Sequence, residues 1–211
     1  MSKAHYGANL QVLLIRHPKP KIASGICYGS SDIPAEPLAL SSAFAWLDHY
    51  LPEDAQIISS PLARCAQLAA QLCVRDQRTL KLEARLAERC CGAWELQPWS
   101  SIARDEIDAW AEDFMDYAAP AAETVRQLQA RVLAAWESQQ THTQSQTQSQ
   151  TRVLLTHAGP IQVLLAHLTG VTLSTQPIVD VACGTAVLLT RRADAIALWD
   201  FRVIRPQTLP D

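Results

Sequence analysis

Two histidines and an arginine directly follow apolar segments of this chain. Arg16 and His17 come after the run at residues 12–15, and His157 comes after a second run at 153–156. Both runs are short, branched and without polar alternation, which is typical of strands buried on both faces of a parallel sheet. In such sheets ligands bind beyond the carboxyl ends of the strands. The spacing therefore predicts a site for an anion at this edge of the sheet.

Arg64 is a third candidate, in the first turn of a helix predicted over residues 62–73 and directly after a strand predicted at 56–59. Ser60 is the predicted N-cap of that helix, and Pro61 is its first-turn proline. The helix dipole disfavours an exposed cation at this place by roughly 0.3–1 kcal/mol, whereas a bound anion is favoured by both the dipole and the arginine. This placement also indicates an anion site.

Length and composition favour one domain over residues 1–211, because 48% of the residues are hydrophobic. The formal net charge of −3 gives no electrostatic footprint for nucleic acid or anionic lipid. Apolar runs fall far short of the ~18–20 residues that span a bilayer. The first nine residues lack the apolar core of a secretion signal, and the six cysteines show no CxxC spacing. We therefore expect a cytoplasmic protein with reduced thiols and no nucleic-acid or membrane partner; its oligomeric state is not predicted.

The hydrophobic periodicity predicts alternating strands and helices. The predicted strands lie at residues 12–15, 56–59, 80–82, 153–156, 182–190 and 195–201. The predicted helices lie at residues 42–51, 62–73, 105–117, 124–138 and 161–168. Ser41 is the predicted cap of the first helix, and Gly170 ends the last one. A polar turn at 191–194 is expected to join the last two strands.

Two segments are predicted to be loops. The proline-rich segment 18–38 leaves directly from His17, and loops longer than ~12–15 residues are usually functional. Segment 139–150 consists mainly of Gln, Ser and Thr and has no large apolar residue, so it cannot bury enough surface to become ordered. We expect it to be a flexible surface loop within the single domain.

Five groups of residues, taken in order and spacing, resemble the motifs of the histidine phosphatase superfamily, which is also called phosphoglycerate-mutase-like. They are LIRH at 14–17, SSPLAR at 59–64, LAE at 86–88 with GAWE at 92–95, ETV at 123–125 and THAG at 156–159. The resemblance covers about residues 10 to 205. It implies an α/β fold, a three-layer α/β/α sandwich with a mostly parallel central sheet.

The resemblance also implies a phosphomonoesterase that needs no metal or other cofactor. His17 would attack phosphorus as a neutral imidazole and form a phosphohistidine. Glu88 would protonate the departing alkoxide and later take a proton from water. Arg16, Arg64 and His157 would bind the phosphate and supply positive charge, and the arginine forks suit phosphate geometry.

The substrate implied is a small phosphomonoester. Segments 25–32 and 92–95 are most similar to the α-ribazole phosphatase branch, which suggests α-ribazole 5′-phosphate. Tyr28, in the loop that leaves His17, could stack on a heterocyclic base, and Ala158 is a further candidate for substrate binding. Glu123 has two open interpretations, because it could contact substrate or cap the helix that follows.

The chain departs from the family pattern at two places. Pro18 stands where the family usually has glycine, so a backbone N–H is lost. Residues 19–21 replace polar positions that are usual in mutases, which favours a phosphatase. The alternatives are a phosphoglycerate-type mutase, a catalytically idle module that binds a phospho-ligand, and a metallohydrolase using His17, His157 and a carboxylate. The HxH and HExxH spacings that favour a metal site are absent.

Overall fold

The computed structural model describes residues 11–52, 55–76, 78–140, 151–191 and 199–205. Within this part of the chain one sheet contains the strands β1 (Gln11–Arg16), β2 (Gln56–Ser59), β3 (Leu80–Leu82), β4 (Arg152–Thr156), β5 (Ala186–Arg191) and β6 (Trp199–Ile204). Their order is β3-β2-β4-β1-β5-β6. The first four strands of this order pair in parallel, whereas β5 pairs antiparallel with β1 and with β6.

Helices cover both faces of the sheet. They are α1 (Pro37–Tyr50), α2 (Ala63–Asp76), α3 (Arg104–Glu112), α4 (Val125–Gln140) and α5 (Ala158–Thr169), with short 3₁₀ helices at Ala84–Leu86, Gly92–Trp94 and Trp99–Ser101. The first two helices pack on one face, and α4 and α5 pack on the other. This confirms the predicted three-layer α/β/α sandwich with a mostly parallel sheet.

Strand β1 shows why its sequence lacks polar alternation. Leu13 and Ile15 belong to the core beneath α1 and α2, whereas Val12 and Leu14 belong to the core beneath α4 and α5. All four side chains are buried. Because successive residues of a strand point to opposite faces, a strand covered on both sides needs apolar residues at every position.

The first helix begins earlier than predicted. It starts at Pro37, with Glu36 as its N-cap, rather than after Ser41. A proline has a backbone angle suited to the first helical turn and lacks an N–H that would have no acceptor there. Ser41 lies inside the helix, where its hydroxyl donates to the Pro37 carbonyl at 3.0 Å instead of capping.

Other boundaries differ for similar local reasons. Helix α5 starts directly after His157, and Pro160 fits in its first turn because the N–H groups there have no helical acceptor. Gly170 ends this helix in the left-handed conformation, as predicted. Helix α3 ends at Glu112, and residues 113–116 of the predicted helix form a turn instead. Residues 182–185 of the predicted strand form a turn before β5.

Some predicted segments lie outside the described residues. They are positions 141–150 of the predicted flexible loop, positions 192–194 of the predicted turn and positions 195–198 of the predicted last strand. Among the helices that the structure describes, none has the length and apolar character needed to cross a membrane.

Candidate active site

The carboxyl ends of three neighbouring strands meet at one edge of the sheet. Arg16 at the end of β1 pairs with Thr156 at the end of β4, and the His17 N–H donates to the Thr156 carbonyl at 3.0 Å. The N–H of Ser60, which follows β2, donates to the Leu155 carbonyl at 2.9 Å. The rings of His17 and His157 have their centroids 5.0 Å apart. The predicted convergence of side chains at this edge is therefore present.

His17 is held in one tautomer. Its side chain is 1% exposed, and Nδ1 lies 2.7 Å from the Pro18 carbonyl oxygen. A carbonyl can only accept, so Nδ1 carries the proton and Nε2 keeps its lone pair. Burial, together with the charges of Arg64 and Arg16, lowers the pKa of His17 to about 3, although the bond to Pro18 raises it. His17 is therefore neutral near pH 7, and Pro18 orients it through its carbonyl although its N–H is missing.

Arg64 is fully buried, and every bond of its guanidinium group goes to a neutral acceptor. Nη1 donates to the Ser31 carbonyl and Nη2 to the Gly29 carbonyl, both at 2.7 Å. Nε donates to Nδ1 of His157 at 3.2 Å. Within the described part of the chain no acidic side chain forms an ion pair with Arg64, so its positive charge stays available to an anion.

His157 is fixed by two neighbours. Since its Nδ1 accepts from Arg64, the neutral ring carries its proton on Nε2, which lies 2.8 Å from the Ser60 hydroxyl. Burial, followed by the charges of His17, Arg64 and Arg16, holds the pKa of His157 well below its usual value. His157 is thus neutral in this arrangement. The positive charge that the family resemblance implies for it would put a second proton on Nδ1 and so break the bond from Arg64.

Arg16 has a buried donor without an acceptor. Its Nη1 donates to the Val181 carbonyl at 2.6 Å, but Nε is buried and has no hydrogen-bond partner among the described residues. Leaving a buried donor unpaired costs on the order of 1–3 kcal/mol. An oxygen of a bound anion would provide the missing acceptor, next to His17 in the chain.

Glu88 lies against the first turn of α5. Its Oε2 accepts from the Gly159 N–H at 3.2 Å, and its Oε1 accepts from the Arg89 N–H at 2.9 Å. A Cβ added to Gly159 would lie only 2.3 Å from Oε1. The Glu88 carboxylate therefore occupies the space that a side chain at position 159 would take. This contact places Glu88 beside the helix that begins after His157.

Tyr28 and Ala158 border the same region. The Tyr28 ring centroid lies 6.3 Å from that of His17, and the Arg64 guanidinium lies over the Tyr28 ring at 5.1 Å. One face of Tyr28 is thus covered, so a substrate base could stack only on the other. Burial raises the pKa of the Tyr28 hydroxyl. Ala158 is half-buried as the first residue of α5.

Sequence reasoning missed two residues that support this site. Glu95 accepts from the N–H and hydroxyl of Ser30, both at 2.9 Å, and from the Ser31 hydroxyl. Arg131 forms an ion pair with Glu123 at 2.6 Å, so neither interpretation of Glu123 described this contact. The available signal for Glu95 was its place in the GAWE motif. The only sequence signal for Arg131 was its position eight residues after Glu123.

The contacts of several other polar residues show structural roles near the site or on the surface. Thr124 caps α4, since its hydroxyl accepts from the Gln127 N–H at 3.0 Å. Lys19 is exposed and forms an ion pair with Glu36 at 3.2 Å. All six cysteines are free thiols. Within the described ranges, no three His, Cys, Asp or Glu side chains lie close enough together to hold a metal ion.

The sequence and the structure of this chain were compared with those of known proteins. A sequence profile of the histidine phosphatase superfamily (branch 1) matches residues 12–201. The native structure of a mycobacterial glucosyl-3-phosphoglycerate phosphatase matches with a TM-score of 0.78 and 20% identity, over 92% of this chain and 97% of that one. A phosphoglycerate mutase from Thermus thermophilus matches with a TM-score of 0.68 and 22% identity, over 93% and 100%. A search of curated protein sequences finds no significant match.

The solved structures are too distant in sequence to show more than the fold, which is the same as that described above. The profile is more specific, because it extends from β1 into β6 and so includes every strand end that carries a candidate residue. This chain belongs to branch 1 of the histidine phosphatase superfamily.

Proposed function

We propose that this protein hydrolyses a small phosphate monoester through a phosphohistidine formed on His17. Membership of the family supports phosphatase or mutase chemistry in general. The observation that carries the proposal is the state of His17, a buried and neutral imidazole whose Nδ1 proton is fixed by Pro18. Its Nε2 lone pair is then available for attack on phosphorus without prior loss of a proton.

The arginines would supply what the phosphate requires. A phosphomonoester dianion repels nucleophiles, so transfer depends on positioning and on positive charge at the equatorial oxygens. Arg64 is held rigidly by carbonyl oxygens, and Arg16 has a buried Nε without an acceptor. The protein partners of both groups are neutral, so no carboxylate among the described residues offsets their positive charge. A phosphate dianion would thus meet preorganised donors rather than flexible surface side chains.

The proposed reaction has two transfers. In the first, Nε2 of His17 forms a bond to phosphorus while the bond from phosphorus to the ester oxygen breaks, and Glu88 gives its proton to the departing alkoxide. In the second, water attacks the phosphohistidine while the Glu88 carboxylate takes one of its protons. The N–P bond breaks, inorganic phosphate leaves, and neutral His17 and protonated Glu88 are restored. No metal takes part.

A mutase is the second candidate, favoured by the structural similarity to the phosphoglycerate mutase. A mutase returns the phosphoryl group to an organic hydroxyl, whereas a phosphatase transfers it to water. Lys19, one of the residues that replace the polar positions usual in mutases, is exposed and pairs with Glu36, which does not favour a role in binding a mutase substrate. The two functions differ in product, so free phosphate and isomerised phosphoglycerate should be measured in the same reaction.

The test of the mechanism is to trap the intermediate. Wild-type protein mixed with labelled substrate and quenched in a single turnover should carry a phosphoryl group that is base-stable and acid-labile. His17→Ala should carry none and should release no phosphate. Activity should survive EDTA and be inhibited by vanadate, which mimics five-coordinate phosphorus. Labelling at another residue would refute His17 as the nucleophile. Loss of activity on chelation, restored by a divalent ion, would support the metallohydrolase. If the folded protein binds phosphate but forms no phosphoryl adduct, it is the catalytically idle binding module.

The finer proposal is that the substrate is α-ribazole 5′-phosphate. It is supported by the resemblance of segments 25–32 and 92–95 and by the position of Tyr28, whose ring lies 6.3 Å from that of His17. We expect a higher kcat/KM for this ester than for 3-phosphoglycerate or glucosyl-3-phosphoglycerate. Tyr28→Ala should reduce kcat/KM for the first ester more than for the other two. Equal losses, or a preference for 3-phosphoglycerate, would refute this substrate while leaving the phosphohistidine mechanism intact.

The proposed setting is the cytoplasm, where the six free thiols would stay reduced. The proposed partner is the small phosphomonoester alone, without nucleic acid or membrane. This agrees with the balanced charge of the chain.

A further inference from the structure

Arg131, on helix α4, holds the backbone that carries Glu88. Its Nη1 donates to the carbonyl oxygens of Arg85 and Ala87, both at 2.8 Å. Its Nη2 donates to the carbonyl oxygen of Glu88 itself at 3.0 Å. One guanidinium group therefore fixes three carbonyls within four residues of chain.

Glu123 orients this guanidinium group. Its two carboxylate oxygens accept from Nε and Nη2 of Arg131, at 2.6 and 2.7 Å. The side chains are only 24% and 16% exposed, so water competes weakly with the pair. Arg126 and Asp116 make a pair of the same geometry from the same helix, but those side chains are 61% and 49% exposed. The second pair provides a matched control.

The segment around Glu88 depends on such contacts because it lacks regular structure. The 3₁₀ helix Ala84–Leu86 ends just before it, and residues 87–91 belong to no helix or strand. The hydroxyl of Thr156 donates to the Leu86 carbonyl at 2.6 Å, and Arg131 supplies the donors for the carbonyls around it. Since a planar guanidinium group has a fixed donor geometry, it constrains the backbone direction as well as its position.

We propose that Arg131, oriented by Glu123, is a positioning residue for Glu88. It fixes the backbone at residues 85–88 so that the Glu88 carboxyl group reaches the leaving oxygen of the substrate. Arg131 contacts neither the phosphate nor the reacting atoms and acts only through Glu88. The inference rests on the proposed function, in which Glu88 protonates the leaving alkoxide.

This role predicts a loss that depends on the leaving group. Protonation by a general acid contributes about 10²–10⁴-fold when the leaving group is a poor one such as an alkoxide. The p-nitrophenolate ion leaves almost without a proton, so the first transfer from this ester does not need Glu88. The second transfer is common to both esters, and kcat/KM reports only the steps up to departure of the leaving group. We expect Arg131→Met to lower kcat/KM for an alkyl phosphate by about tenfold or more and kcat/KM for p-nitrophenyl phosphate by less than about threefold.

The variants form a graded series. Glu123→Gln keeps the shape of the carboxylate but not its charge, and Arg131→Lys keeps the charge but not the fork, so both should show smaller losses with the same selectivity. Arg126→Met should behave as wild type on both substrates. Inhibition by inorganic phosphate should be unchanged throughout, because Arg16, Arg64 and His17 are not altered. Thermal unfolding identifies any variant that fails to fold; the graded variants then replace Arg131→Met.

Glu88→Gln separates the two possible failures. Suppose that Glu88→Gln lowers kcat/KM selectively for the alkyl phosphate, but the Arg131 and Glu123 variants lower kcat/KM equally for both substrates or for neither. The positioning role is then refuted and the proposed function stands. If Glu88→Gln lowers kcat/KM equally for both substrates, Glu88 is not the general acid of the first transfer. In that case the proposed role of Glu88 fails, and the inference about Arg131 fails with it.

Discussion

Replacing Gly159 by alanine should displace one carboxylate and little else. An added Cβ would lie 2.3 Å from Oε1 of Glu88, 3.4 Å from its Cδ and 3.2 Å from Cδ2 of Leu128. To reach ordinary van der Waals separation, Oε1 must move by about 1 Å, since nonbonded heavy atoms are most favourable at about 3.5 Å or more. The moving atom is the end of a flexible side chain, so the strain can be relieved without a change in the fold.

The stability change should be small. Alanine is favoured over glycine inside a helix by roughly 0.5–1 kcal/mol, and the tight contact with Leu128 offsets part of this gain. The Gly159 N–H also loses a well-placed acceptor in Glu88, in a first turn where N–H groups have no helical partner. We expect the free energy of unfolding to change by less than about 1 kcal/mol.

Activity should fall much more than stability. A misplacement of about 1 Å can cost on the order of 10²-fold in rate. We therefore expect kcat/KM of Gly159→Ala for an alkyl phosphate to drop between about tenfold and a hundredfold, while kcat/KM for p-nitrophenyl phosphate stays within about threefold. The measurements are steady-state kinetics on both esters and thermal unfolding followed by circular dichroism.

A double variant makes the test specific. In the Glu88→Gln background, Gly159→Ala should add almost no further loss, because both changes remove the same function and their effects are not additive. Multiplied losses in the double variant would show that Gly159 acts independently of Glu88. Equal losses of kcat/KM on the two esters, with unchanged unfolding, would also refute the reasoning, because displacing a general acid should not slow phosphoryl transfer from an ester whose leaving group needs no proton.

Two further predictions concern phosphate binding and pH. Glu95→Gln should weaken inhibition by inorganic phosphate several-fold without changing leaving-group selectivity. The reason is that Glu95 anchors Ser30 and Ser31, and the carbonyl oxygens of Gly29 and Ser31 hold Arg64. Unchanged inhibition constants would contradict this prediction. Burial lowers the pKa of His17 to about 3, so the unfolded chain binds this proton more readily between about pH 6.5 and 3. Stability is therefore lost as the pH falls through this window, by at most about 1.4 kcal/mol per pH unit from this group. His17→Asn should flatten the plot of unfolding free energy against pH; an unchanged slope would refute the assignment.

The strands and their terminal residues could be predicted because the relevant signals are local. A strand covered on both faces must be apolar at every position, and this pattern identifies β1 and β4 and thus Arg16, His17 and His157. Topology then brings the strand ends together, since parallel strands end at the same edge. The prediction needed no knowledge of side-chain contacts.

The supporting contacts could not be predicted in this way. Arg131 reaches carbonyls more than 40 positions away in the chain, and Glu95 bonds to serines more than 60 positions away. The local sequence around Arg131 does not differ from that of an ordinary charged surface residue, and the GAWE motif marks Glu95 without showing which residues it contacts. The predicted start of α1 was wrong for another reason. Ser41 and Pro37 are both residues that commonly begin a helix, and only the surrounding fold selects between them.

The charges of the site also explain how two histidines can share it. The formal net charge of the chain is −3, so the positive potential is local and comes from Arg16 and Arg64, whose partners in the described part of the chain are neutral. After burial, these two charges help to hold the pKa values of His17 and His157 low. The proposed nucleophile thus stays neutral in this arrangement. Neutral His157 carries its proton on Nε2, because Nδ1 accepts from Arg64, so it could donate to an oxygen of a phosphate dianion without gaining a second proton. The two arginines proposed to bind the dianion therefore also help to keep both histidines in the neutral form.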